Sequence, residues 1–83
     1  MKRKECMINT TDDWYPNYPE NQVLLSLSKL NTGNYRVSVW GQDDVGYDTD
    51  IKEITEACKL YQKLKERGNV SYEYLKTQGL APF

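Results

Sequence analysis

The stretch Gln22-Val23-Leu24-Leu25-Ser26-Leu27-Ser28-Lys29-Leu30-Asn31-Thr32-Gly33-Asn34-Tyr35-Arg36-Val37-Ser38-Val39-Trp40 decides the fold. Val23, Leu25 and Leu27 recur at every second position and share a face with Lys29, while Ser26 and Ser28 take the other. Tyr35, Val37 and Val39 then alternate with Arg36, Ser38 and Trp40. A period of two places successive side chains on opposite faces of a strand. Asn31-Thr32-Gly33-Asn34 is turn chemistry, because Gly and Asn accept positive φ with little steric cost. Two alternating runs joined by such a turn predict an antiparallel hairpin.

On the C-terminal side the period changes from two to 3.6. Gly41 ends or bulges the second strand, Gln42 to Gly46 reads as a polar turn, and Val45 to Asp48 as a brief third strand. Asp50 is a candidate N-cap with Glu53 three positions later as its capping-box partner. A helix is expected over about 51–67. Its stripe is Ile51, Ile54, Ala57, Cys58, Tyr61 and Leu64, widened by Leu60. Glu53 and Glu56 in the early turns, and Lys63, Lys65 and Arg67 in the late ones, complement the helix dipole. Gly68 is the expected stop. Ser71 caps a short second helix over 72–78, stopped by Gly79, with Leu75 and Leu80 placed for a Schellman contact.

On the N-terminal side, residues 5–9 read as a short first strand with Cys6 and Ile8 on one face. Residues 10–21 read as an ordered loop in which Pro16 and Pro19 push Tyr15 and Tyr18 toward extended backbone. The expectation is one α+β domain over residues 1–83. It is an antiparallel hairpin or three-stranded sheet packed by one amphipathic helix, with a short C-terminal helix. Val23, Leu25, Leu27, Val37, Val39, Ile51, Ile54, Cys58, Tyr61 and Leu64 form the expected core.

The 83 residues contain no histidine and two cysteines. Without histidine, Ser-His and Cys-His nucleophilic systems are excluded, and two thiols alone do not close a tetrahedral zinc site. Asp43-Asp44-Val45-Gly46-Tyr47-Asp48-Thr49-Asp50 packs four carboxylates into eight residues. Its acids fall at positions 1, 2, 6 and 8, with Gly at 4. An EF-hand loop requires 1, 3, 5 and 12, with Gly at 6. No glycine-rich loop precedes a lysine, so no phosphate cradle is present. The sequence therefore points away from an enzyme and calls for no cofactor or metal.

Two cysteines do not make the disulfide framework of a small secreted domain. No apolar run follows Lys2-Arg3-Lys4 in the manner of a signal peptide, and none is long enough to span a bilayer. A cytoplasmic protein with no membrane association is expected.

The net charge of −1 argues against a general nucleic-acid binder. It divides into +2 over residues 1–11, −5 over 12–50 and +2 over 51–83. An acidic middle can recognise a basic partner. The aromatic residues Trp14, Tyr15, Tyr18, Trp40 and Tyr47 lie close to these acids. Strand alternation turns Arg36 and Trp40 away from Val37 and Val39. Trp, Tyr and Arg are the types enriched in binding hot spots. The plainer alternatives are a solvated acidic turn, and Trp14 and Tyr15 folding back over Trp40. The candidate binding residues are Asp43, Asp44, Asp48, Trp14, Tyr15, Tyr18, Trp40, Tyr47 and Arg36, facing a protein partner with a basic surface. The runner-up is a nucleic-acid contact along Lys59, Lys63 and Arg67, joined by Lys2-Arg3-Lys4. A third class is a homo-oligomer, a dimer in its simplest form, paired through an exposed strand edge.

The run Tyr35-Arg36-Val37-Ser38-Val39-Trp40-Gly41-Gln42-Asp43-Asp44-Val45-Gly46, followed by an acidic-capped helix and a short terminal helix, resembles small accessory proteins of tailed bacteriophages. The resemblance covers residues 35–83. It implies no catalytic residues and an accessory role, such as binding and inhibiting a host or defence protein in the host cytoplasm.

Overall fold

The computed structural model describes residues 3–10, 22–41 and 46–82. The hairpin lies where the alternation places it: β2 is Gln22–Lys29 and β3 is Tyr35–Trp40. Its turn is closed by Leu30 N–H donating to the Asn34 carbonyl at 2.8 Å, and Gly33 takes a φ of 94°. β1 (Arg3–Thr10) pairs antiparallel with β2, and β4 (Gly46–Ile51) pairs antiparallel with β3. These strands form a four-stranded meander.

The sheet exceeds the three strands expected. β5 (Asn69–Val70) adds to β1 in parallel and β6 (Ala81–Pro82) adds to β4 antiparallel. The curled mixed sheet has the order β5-β1-β2-β3-β4-β6. A pairing of two residues leaves almost no periodicity in the sequence, so neither outer strand was legible.

α1 (Ile54–Arg67) starts three residues later than expected. Asp50 is not its cap: it belongs to β4, where Arg36 stands opposite it in register. The cap position is Glu53, which makes no side-chain capping bond. The ion pair competed with the cap for the same carboxylate, and the strand extended through Ile51. Ile54 accordingly begins the helix 45% exposed instead of entering the core, and Ile51 is half-buried against it. Cys58 is likewise half-buried, packed at the margin of the core.

The fourteen residues of α1 rise about 21 Å. That is close to the roughly 19 Å between β4 and β5, four strand spacings apart. α1 therefore crosses the whole meander on one face. It buries Ala57, Tyr61 and Leu64 against Val23, Leu25, Leu27, Val37 and Val39. Gly68 ends it at φ 77°, its N–H donating to the Leu64 carbonyl at 3.2 Å. The Gly68 carbonyl in turn accepts from Asn9 N–H at 2.9 Å, which aligns β5 on β1.

α2 (Tyr72–Thr77) is capped by the Ser71 hydroxyl, which accepts from Tyr74 N–H at 3.1 Å. Its stop is the expected Schellman motif. Leu80 N–H donates to the Leu75 carbonyl at 3.0 Å, and Gly79 N–H to the Lys76 carbonyl at 3.1 Å. Both leucines are buried. The start of α2 meets β4 on the helix side of the sheet, where Tyr72 and Tyr47 rings approach to 5.5 Å.

Candidate interaction face

The register sorts the side chains of the meander into two faces. Cys6, Leu25, Val39 and Tyr47 form one row beneath the helices. The other face carries three successive rows. Met7, Leu24, Trp40 and Gly46 make an apolar row; Glu5, Ser26, Ser38 and Asp48 a polar one; Ser28, Arg36 and Asp50 a charged one. Neither described helix packs on this second face.

Charge on the face is organised around Arg36. Its Nε donates to Asp50 Oδ1 at 2.8 Å and a terminal nitrogen to Asp50 Oδ2 at 3.4 Å, a two-pronged contact. Asp48 Oδ2 lies 3.6 Å from the same Nε. The hydrogen bond from Arg36 holds the Asp50 carboxyl below the usual carboxylate range, and the same bond raises Arg36. Side-chain exposures of 42% for Arg36 and 44% for Asp50 leave the pair in contact with water. Exposed pairs of this kind contribute about 0–1 kcal/mol. Two carboxylates on one guanidinium leave the cluster one negative charge in excess.

The apolar row supplies what the charge cluster lacks. Met7 is 51% exposed, one of two large hydrophobes so exposed among the described residues. Leu24 and Trp40 beside it are half-buried. Between the two rows, Ser26 and Ser38 form the floor at 2% and 8% exposure. This buried serine pair separates the apolar row from the charged row.

Of the sequence-derived site residues, the structure brings Arg36, Trp40 and Asp48 onto one face. Tyr47 is removed from it: the residue lies on the helix side at 7% exposure, stacked near Tyr72. Register sets this side: Tyr47 stands opposite Val39, whereas Trp40 stands opposite Gly46. Trp14, Tyr15, Tyr18, Asp43 and Asp44 lie outside the described residues. Sequence reasoning missed Met7, Leu24 and Asp50. Alternation of Cys6 and Ile8 against Met7 carried the first; Asp50 was hidden by its resemblance to a cap.

The basic helical face exists in a modified form. Lys63 Nζ donates to Gln78 Oε1 at 3.1 Å. Arg67 donates to the Asn69 carbonyl at 2.7 Å and lies 3.8 Å over the Tyr74 ring. Two of the three aligned cations thus brace α1 against the β5–α2 segment. Among the described residues no cluster of His, Cys, Asp and Glu could hold a metal ion, and no helix is long and apolar enough to cross a membrane. No family model, curated protein or solved structure matches the chain.

Proposed function

We propose that this chain is a small protein-binding module, of the accessory kind found in tailed bacteriophages, that binds and modulates a host or defence protein. The observation carrying this reading is the sheet face without a helix on it, where exposed Met7 and half-buried Trp40 adjoin the Arg36–Asp48–Asp50 cluster. An apolar anchor beside a net acidic cluster is the arrangement expected of a hot spot for a partner with a basic surface. In the sequence, Asp43 and Asp44 follow Trp40 by three and four positions and belong to the same acidic block. The missing histidine supports a binding role over catalysis, and cytoplasmic residence follows from a host-protein target.

The test is affinity capture from bacterial lysate with the wild type and two variants, Met7→Lys with Trp40→Ser, and Asp43→Lys with Asp44→Lys. A protein retained stoichiometrically by the wild type should be lost from the first and weakened in the second, with circular dichroism unchanged. Equal retention by all three would remove this face from the function. The alternative, a nucleic-acid contact along Lys59, Lys63 and Arg67, requires retardation of DNA or RNA that declines steeply with salt.

A further inference from the structure

On the helix side of the sheet, a notch of about 350 Å³ opens between the first turns of α1 and the ends of β1, β2 and β3. Leu27, Tyr35, Ile54 and Cys58 supply its apolar lining, and Lys4 and Lys29 stand at its rim. Three properties distinguish it from ordinary surface relief. Its lining includes no carboxylate, although the protein has more acids than bases. Lys4 and Lys29 are both exposed, and neither side chain forms an ion pair or hydrogen bond with the described residues. Ile54, at 45% exposure, is the other large hydrophobe left open to solvent among the described residues.

We propose that this notch binds an acidic peptide segment carrying one apolar anchor side chain. The apolar floor takes the anchor, and Lys4 and Lys29 take the flanking carboxylates. Charge complementarity selects this occupant. A polyphosphate or nucleic-acid backbone would match the lysines but would leave the apolar floor and Ile54 unused. A fatty acyl chain needs burial of most of its surface, roughly 70–90%, and Ile54 remains nearly half exposed at the mouth. The notch lies across the sheet from the Met7–Trp40 face, so the two contacts are independent.

The experiment uses the full chain and a fluorescein-labelled peptide, Asp-Glu-Leu-Phe-Glu-Asp, followed by anisotropy at low salt. Controls are the Asn/Gln analogue, the analogue with Ser-Ser in place of Leu-Phe, and sodium laurate as an acyl competitor. Saturable binding is expected, weakened roughly tenfold by Lys4→Glu with Lys29→Glu. Both control peptides should bind more weakly, and Met7→Lys with Trp40→Ser should leave the affinity unchanged. Amide shifts in the wild type should cluster at Leu27, Tyr35, Ile54 and Cys58, a readout that stands even if the charge-reversed variant fails to fold. The proposal is overturned by absence of binding at millimolar peptide, by equal binding of the Asn/Gln analogue or of the folded charge-reversed variant, by displacement with laurate at lower concentration than the peptide, or by shifts confined to other residues.

Discussion

Alkaline titration should expose Tyr61. The ring sits under α1 at 3% exposure, and its pKa is pushed up to about 12, first by burial, then by its hydrogen bond to Cys6, and finally by the charges of Cys6 and Glu5. An unfolded tyrosine titrates near 10. The folded value is the higher one, so the contribution of Tyr61 to stability is complete below about pH 10 and is lost as pH rises through about 12. A shift of about two units corresponds to about 3 kcal/mol at the limit, about half of it already lost at pH 11. Against the roughly 5 kcal/mol expected of a domain this small, that loss is large. Urea unfolding at about pH 9 and 11, for the wild type and for Tyr61→Phe, isolates the effect, because lysines and the other tyrosines titrate in both. Phe costs a fixed amount at both pH values. The wild type should then lose about 1–2 kcal/mol more than the variant between them. Parallel losses in the two proteins would refute the assignment and return Tyr61 to an ordinary, water-accessible phenol.

Other perturbations separate core, cap and surface. Leu64→Ala, at a residue with no exposure, should cost about 2–5 kcal/mol, enough to leave much of the chain unfolded by circular dichroism. Ser71→Ala removes the oxygen that accepts Tyr74 N–H and should lower stability by about 1 kcal/mol in thermal melts, with α2 exchanging amide hydrogens faster than α1. Arg36→Met should cost no more than about 1 kcal/mol, while NMR titration shows the Asp50 carboxyl moving up toward its ordinary range; an unmoved titration would mean that Arg36 does not govern it. Ile54→Ser should change the unfolding midpoint little, within about 0.5 kcal/mol, because the side chain already faces water.

The parts of this fold that repeat were readable, and the parts that meet only once were not. Val23, Leu25, Leu27, Val37 and Val39 announce their face by recurrence, and all five are buried. Gly68 and Gly79 announced the ends of both helices because left-handed backbone narrows the choice of residue. Asp50 was misread because an acid three residues before a Glu satisfies a local cap rule, whereas its real partner, Arg36, is fourteen positions away. β5 and β6 depend on edges that only the assembled meander provides. At the candidate face, Trp40 and Arg36 followed from alternation, but their coupling to Met7 required the β1 register. The dense acids around 43–50 drew attention to the turn instead of to the strand beside it.

The parallel pairing of β5 with β1 has a kinetic consequence. Asn9 and Asn69 are sixty positions apart, so β1 gains its second neighbour only after the meander has formed and α1 has crossed it. Until then, Arg3–Thr10 is a strand with one side unmatched, and the ends of the loop it must close are among the most distant in the chain. Closing so long a loop costs entropy before the contacts that reward it exist. Folding should therefore resemble that of non-local β proteins, in milliseconds to seconds, despite a 14-residue helix that could form far faster alone. The short pairing at Asn69–Val70 should therefore close late, and the fully buried Val70 side chain then holds it shut.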